Sequence, residues 1–218
     1  MAETINTYVL DDPETVIPMD RQEFYREQTE AFRTLGHPTR AAEIIDIFIF
    51  NEHGEVFIQK RADHKAHNPG LFDKAVGGHV QHGDLIDYTV MVESVQELQV
   101  PSIVMRSDSD FAKAFTLLKP YLGTVSLIRK IDSRICILEK VIAGDAVKIA
   151  NKVHLFFGIY GGAVKTVDNE SRGVLLYSLE NLENEIAKFP KMFTDDLAFF
   201  MANYSEELYA FRDSIAKR

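Results

Sequence analysis

The chain has 218 residues, of which 46% are hydrophobic and 26% are charged, and its formal net charge is −9. This length and apolar content are sufficient to bury a core, and they exclude a disordered chain. The acidic balance argues against a groove for a nucleic-acid polymer, because such a groove needs clustered Lys and Arg.

The sequence carries no targeting or membrane signal. No run comes near the roughly 18 apolar residues of a membrane span, and the first residues form neither a basic segment nor an apolar leader. We therefore expect a cytoplasmic protein with no membrane partner. The single cysteine, Cys136, lies in the apolar run 134–138, which indicates a buried structural thiol rather than a nucleophile.

The elements of the first half are indicated by apolar alternation, helical periodicity and Gly or Pro breakers. In chain order they are a strand and turn at 8–19, a helix at 21–35 closed by Gly36, a hairpin of strands 44–50 and 55–59, a loop at 62–70, a glycine loop at 77–83, and a helix from about Ile86 to Leu98.

The second half alternates helices and strands in the same way. It is expected to hold a helix at 110–122, strands at 124–129, 134–142, 153–160 and 174–177, a short helix at 181–188, and one C-terminal helix at 194–217 capped by Thr194. Strands interleaved with helices predict an α/β sandwich.

The helix after the glycine loop carries two candidate metal-binding carboxylates. Glu93 and Glu97 are four residues apart and therefore lie one turn apart on the same side of the helix. Such a pair can hold Mg²⁺, which takes oxygen ligands and keeps positions open for phosphate oxygens. The opposite side is expected to pack, through Tyr88, Met91, Val95 and Leu98. The alternative is that the two carboxylates form a solvated helix face.

This segment resembles the Nudix box, in which Gly, five residues and Glu are followed by seven residues and Arg-Glu-aliphatic-x-Glu-Glu-x-Gly-aliphatic. Gly78 stands at the first glycine, Asp84 at the first Glu, and Glu93 and Glu97 at metal ligands of the family. The box departs from the pattern at three positions: Val92 replaces Arg, Gln96 replaces Glu, and Gln99 replaces the last Gly.

Residues 47–79 are similar to the Nudix branch that includes isopentenyl-diphosphate isomerases. The resemblance covers about residues 8–100, and 193–199 looks like the branch's closing helix. It implies a single α/β (α+β type) domain over 1–218: a Nudix α/β/α sandwich with a mixed central sheet, a helical N-terminal extension at 1–40, the box at 77–100, and an inserted helix within an insertion at 101–150.

The resemblance also implies a set of site residues. Glu93, Glu97 and Gln96 would bind Mg²⁺, with Mn²⁺ as a substitute, and Glu97 would serve catalysis. Asp84 and Glu170 are the candidates for the general base, although Asp84 could instead only cap the helix. Substrate contacts are expected from Arg61, Lys65, Lys74, Gly77 and Gly78, although Arg61 and Lys65 could equally lie on a solvated loop. A zinc pair of His79 and His82 is a minor alternative.

The sequence is consistent with two alternative functions. The first is hydrolysis of a phosphoanhydride in an organic or nucleoside-diphosphate-linked substrate. The second is a catalytically silent domain that binds a diphosphate ligand or a protein partner; a homodimer is left open. Isomerisation of isopentenyl diphosphate is not expected, because Gly77 stands where those isomerases have a cysteine and Cys136 lies in a distant apolar run.

Overall fold

A mixed β-sheet lies between two layers of helices. The structure, a computed structural model, describes residues 3–166 and 171–216. In this part of the chain the strands are β1 Thr4–Val9, β2 Asp12–Asp20, β3 Arg40–Phe50, β4 Val56–Arg61, β5 Phe72–Asp73, β6 Val76–His79, β7 Ser102–Met105, β8 Ser126–Ile142, β9 Asp145–Ile159 and β10 Ser171–Tyr177. The helices are α1 Arg21–Leu35, α2 Ile86–Leu98, α3 Asp108–Leu118, α4 Leu179–Lys188, α5 Asp195–Asn203 and α6 Ser205–Ala216.

The sheet combines parallel and antiparallel pairs. Its main order is β10-β4-β3-β9-β8-β7, with β1 and β6 also paired to β3, β2 to β1, and β5 to β4. The pairs β3–β9 and β7–β8 are parallel, and the others are antiparallel. The β3–β6 register sets Asp46 opposite Gly77, which fixes the start of the glycine loop against the central strand.

Alternation along β3 creates two cores. Successive side chains of a strand point to opposite faces, and Ile45, Ile47 and Ile49 pack with Val90 and Leu98 of α2. The intervening residues pack with the other helices, and this second core includes Ile44, Phe48, Phe50, Phe24, Phe111, Phe200 and Phe211. The predicted fold class, an α/β/α sandwich with a mixed sheet, a helical N-terminal extension and a helix after the glycine-loop helix, is confirmed.

Local signals set the bounds of two helices. The Asp20 side chain accepts hydrogen bonds from the N–H groups of Gln22 and Glu23 at the start of α1, and Gly36 ends it with a φ of 80°. Helix α2 also begins and ends where predicted. In contrast, the predicted strands 124–129 and 134–142 form one strand, β8, because it pairs along its whole length with β9.

The predicted single C-terminal helix is wrong. It is divided into α5 and α6 at Tyr204, which has φ −124° and ψ 25°. The Tyr204 ring is buried, and its hydroxyl donates to the carboxylate of Asp132 on β8. The chain leaves helical geometry where this tertiary contact is made. The Thr194 cap is confirmed, since its hydroxyl accepts a hydrogen bond from Leu197 N.

The predicted packing face of α2 is confirmed at Leu98 and wrong at its other three positions. Tyr88, Met91 and Val95 are exposed by 53%, 44% and 47%. The buried stripe is instead Thr89, Val90, Ser94 and Leu98. Ser94 is small and its hydroxyl bonds back to the Val90 carbonyl at 2.7 Å, so it leaves no unpaired polar atom against the sheet.

Among the described residues, none of the helices combines the length and the apolar character needed to cross a membrane.

Candidate functional site

A polar pocket of about 470 Å³ lies where the glycine loop and α2 meet the loop 62–71, the start of α1 and the end of β8. Its size is typical of small-ligand sites. Most of its lining side chains can ionise or donate hydrogen bonds: Glu3, Arg21, Tyr25, Asp46, Gln59, Arg61, Lys65, His67, Asn68, Asp73, Lys74, His79, Gln81, Glu93, Gln96, Glu97, Lys140 and Asp196.

The helix α2 contributes a wall of two carboxylates. Glu93 and Glu97 both line the pocket and are half-buried, because they flank the buried stripe of α2. A Cβ at Gly78 would overlap the Glu93 carboxylate, so the glycine leaves space for this carboxylate. On β4, the buried Gln59 amide donates to Glu97 Oε2 and to the Ala75 carbonyl. The glycine loop and Gln59 thereby position the two carboxylates.

The donor set at this wall fits a metal shared with a substrate. Within residues 3–166 and 171–216, no group of three or more His, Cys, Asp or Glu side chains is arranged as a complete metal cage. Glu93 and Glu97 offer carboxylate oxygens, and Gln96, which lines the same pocket, offers an amide oxygen. Mg²⁺ is commonly held by one or two carboxylates, with water and substrate phosphates completing its coordination.

An ammonium held by three buried aspartates lies beneath the glycine loop. Lys74 Nζ is 2.9 Å from Asp46 Oδ1, 3.2 Å from Asp73 Oδ1 and 3.3 Å from Asp196 Oδ2. We call these four residues the aspartate–lysine cluster. Gly77 covers it, since a Cβ there would lie 3.1 Å from Lys74 Cε and 3.2 Å from Asp46 Oδ1. Lys74 therefore lines the pocket but is already paired, and its predicted substrate contact stays a prediction.

The pKa values of Asp46 and Asp73 are shifted in opposite directions. Burial raises the pKa of Asp46 to about 7, and the charges of Asp196 and Asp73 add to this effect against the pull of Lys74. Burial also acts to raise the pKa of Asp73, but the cations Lys74 and Arg61 outweigh it and lower that pKa to about 2. Burial acts to lower the Lys74 pKa, but the aspartates raise it well above its ordinary value, so the ammonium is charged.

The loop 62–71 brings further cations to the pocket. Arg61 Nη1 lies 3.0 Å from Asp73 Oδ2, and its Nη2 donates to the His67 carbonyl at 2.9 Å. The guanidinium is thus fixed in orientation at the pocket wall. Lys65 also lines the pocket. Both predicted phosphate contacts therefore lie in the same cavity as Glu93 and Glu97.

One end of the pocket is formed by Tyr25 of α1 together with His67, His79 and Lys140. We call it the basic end of the pocket. The Tyr25 ring packs on His67 with centroids 4.0 Å apart, and its hydroxyl is hydrogen-bonded to His79 Nε2 at 2.9 Å. Burial, and then the surrounding cations, lower the pKa of His67 to about 3 and that of His79 well below its ordinary value. Both imidazoles are therefore neutral near pH 7.

Other predicted residues lie elsewhere. Asp84 is exposed and outside the pocket, and it does not cap α2, whose N-cap is Leu85 without a side-chain bond. Glu170 lies outside the described residues. His82 is hydrogen-bonded to Asn6, and His79 to Tyr25. Cys136 is buried, which raises its pKa to about 11 and agrees with a structural thiol.

Asp46, Asp73, Asp196 and Lys140 line the pocket but are not predicted as site residues from the sequence. A signal was present for Asp46, because it is the one charged residue in the apolar run 44–50. Asp196 lies in the first turn of α5, where the sequence alone indicates a favourable charge at a helix N-terminus, yet it is only 4% exposed and lines the pocket. Lys140 falls on the alternation of β8 that buries Cys136 and Leu138, where an apolar residue is expected.

No protein-family description matches the chain, and no curated protein matches it. Among solved structures, that of DR0079 from Deinococcus radiodurans is similar over 92% of this chain and 98% of that chain, with a TM-score of 0.61 and 17% identity. The two share a fold.

Two further structures are similar to the chain at lower scores. A hydrolase of the NUDIX family from Clostridium perfringens is similar over 78% of this chain and 97% of that chain, with a TM-score of 0.48 and 17% identity. A bifunctional NMN adenylyltransferase/ADP ribose pyrophosphatase from Francisella tularensis, complexed with AMP and Mn ion, is similar over 86% of this chain and 49% of that chain, with a TM-score of 0.49 and 13% identity.

Proposed function

We propose that the chain is a Nudix-type hydrolase of a phosphoanhydride in an organic or nucleoside-diphosphate-linked substrate. The observation that carries the proposal is the placement of Glu93, which lies against Gly78, and Glu97 in one pocket with Arg61 and Lys65. Carboxylates that suit a divalent cation and cations that suit phosphate oxygens are what such a substrate requires.

The polar side chains of the pocket would have separate roles in binding the metal and the substrate. Glu93 and Glu97, with the Gln96 amide, would hold Mg²⁺ or Mn²⁺, which when bound draws negative charge from the diphosphate oxygens. Arg61, held by Asp73, would present its guanidinium to a phosphate without having to be ordered first. Of the carboxylates predicted to serve catalysis, Glu97 lines the described pocket, and Gln59 orients it.

The direct test is turnover of a panel of nucleotide sugars, dinucleotides and nucleoside diphosphates with Mg²⁺ or Mn²⁺. We expect metal-dependent product release by the wild type and none above background by Glu93→Gln/Glu97→Gln. Calorimetric titration should show that this double variant loses its metal affinity. The exposed pair Glu206→Gln/Glu207→Gln on α6 changes the net charge equally and should keep both properties. Equal metal affinity in the wild type and the Glu93/Glu97 variant would refute the metal assignment.

A second candidate is a silent domain that binds a diphosphate ligand or a protein partner. It is favoured by Gln96, whose amide attracts a cation less than a carboxylate does, and by the incomplete metal cage among the described residues. The variant Val92→Arg/Gln96→Glu separates the candidates. A weakened hydrolase should gain turnover, because a further carboxylate draws the cation in. If the wild type and the variant both bind pyrophosphate but cleave nothing, the silent domain is supported.

A further inference from the structure

The end of the β8–β9 hairpin is fastened to the pocket. Asn68 N donates to the Val141 carbonyl at 2.9 Å, and Val141 N donates back to Asn68 Oδ1 at 2.8 Å. His67 and Ile142 form a further bridge between the same two segments. These bonds fix residues 140–142 of the hairpin against the loop that carries the pocket cations, so the hairpin forms part of the pocket wall.

This fastening directs Lys140 inward. On β8, the buried face continues from Cys136 through Leu138 to Lys140, which is only 8% exposed and lines the pocket. Its ammonium lies 5.9 Å from the centroid of the Tyr25 ring. No carboxylate of residues 3–166 or 171–216 lies within 4.0 Å of it. A buried cation without a paired anion is unfavourable in itself, so an anion from outside would complete the site.

The surroundings favour an anion at this position. Arg21, which also lines the pocket, is paired at 2.7 Å with Glu3, and Arg61 with Asp73, so their charges are partly offset. Within residues 3–166 and 171–216, Lys140 has no such partner. The positive field of these cations contributes to the low pKa values of His67 and His79. Burial acts to lower the pKa of Lys140, but Tyr25 and the carboxylates of Asp196 and Asp46 raise it, so the side chain is a cation near pH 7.

We propose that Lys140 binds a phosphate group at the basic end of the pocket, and that the β8–β9 hairpin therefore supplies a phosphate subsite. The carboxylate wall of Glu93 and Glu97 then faces a metal-bound part of the ligand, and Lys140 holds a second anionic part. The ligand class is taken from the proposed function, but the subsite itself stands on the geometry of Lys140 and needs no metal.

The test is calorimetric binding of inorganic pyrophosphate in the presence of EDTA, so that no divalent cation contributes. Lys140→Met should weaken binding by about 10- to 100-fold, the range expected for a lost hydrogen bond to a charged group. Lys140→Arg should retain most of the affinity, since the charge is kept. The matched control is Lys148→Met, because Lys148 is an exposed lysine of the same hairpin. Raising the salt concentration should reduce wild-type affinity more than that of Lys140→Met.

Stability separates binding from a structural role. Because Tyr25 and the nearby carboxylates raise the pKa of Lys140, its charge contributes to stability, and Lys140→Met should lower Tm modestly but stay folded at the temperature of the titration, whereas loss of a structural lysine would unfold the protein there. The inference is overturned if the wild type does not bind pyrophosphate, if Lys140→Met binds as tightly as the wild type, or if Lys148→Met is weakened equally.

The proposed function can fail separately from this inference. If the protein shows no turnover but binds pyrophosphate through Lys140, only the proposed hydrolase activity is refuted. If the protein shows turnover, and Lys140→Met changes neither the KM nor the metal-free affinity for pyrophosphate, only the phosphate subsite is refuted.

Discussion

Replacing Lys74 with Met tests the aspartate–lysine cluster most directly. Met has a similar length but no charge, so the substitution leaves Asp46, Asp73 and Asp196 buried without their shared cation. All four side chains are at most 10% exposed. Removing one partner of a buried ion pair costs about 3–5 kcal/mol. This is a large share of the roughly 5–15 kcal/mol by which a domain is stable.

The loss should depend on pH in a defined direction. The folded-state pKa of Asp46 is about 7, above its unfolded value, so this residue favours folding less as pH rises toward 7. Asp73 behaves oppositely: its folded pKa of about 2 adds stability that is lost as pH falls toward that value. Without Lys74, the pKa values of both aspartates rise. The variant should therefore be penalised most at pH 8, where the carboxylates must ionise, and less at pH 5.

Urea unfolding at pH 5 and pH 8 provides the measurement. Far-UV circular dichroism is the suitable probe because the chain has no Trp. Lys113→Met, which replaces an exposed lysine of α3, is the control and should cost less than about 0.5 kcal/mol. A loss below about 1 kcal/mol at pH 8, or an equal loss at both pH values, would refute the role of Lys74 as the shared cation of the three aspartates.

Three further outcomes are expected. Gly78→Ala should abolish metal-dependent turnover because its Cβ displaces the Glu93 carboxylate, and wild-type rates in this variant would contradict the prediction. Gly123→Ala should keep turnover, because the space around Gly123 is open. Gln28→Leu should cost about 1–3 kcal/mol in urea unfolding, because the partly buried N–H groups of Thr39 and Arg40 lose their acceptor. Cys136, with its pKa raised to about 11 by burial, should react with iodoacetamide at pH 8 far more slowly in native than in unfolded protein, as mass spectrometry would show.

The sequence alone determined the features that depend on neighbouring residues. The bounds of α1 follow from a capping Asp20 and a glycine at 36 that accepts a positive φ, and both signals act within one helical turn. The placement of Glu93 and Glu97 on one side of α2 follows from helical spacing in the same way. The sandwich was predictable because strand and helix periodicities alternate along the chain.

Tertiary structure alone decided which side of α2 is buried. Apolar residues occur on more than one side of this helix, so periodicity could not choose between Tyr88 with Met91 and Thr89 with Val90. The choice depends on how closely the helix can approach the sheet, and Ser94 and Gly78 allow the observed contact. Exposed apolar side chains are common on folded proteins, and they do not identify a core by themselves.

The ionic contacts of the pocket were also beyond the reach of local patterns. Lys74 and Asp196 are 122 residues apart, and Asn68 and Val141 are 73 apart. Their proximity depends on strand order and on the docking of a long hairpin, and local propensity specifies neither. A single sequence shows that Asp46 and Lys140 are polar residues in apolar strands, but only the folded chain shows what each one faces, because their charges are defined by neighbours that the topology brings together.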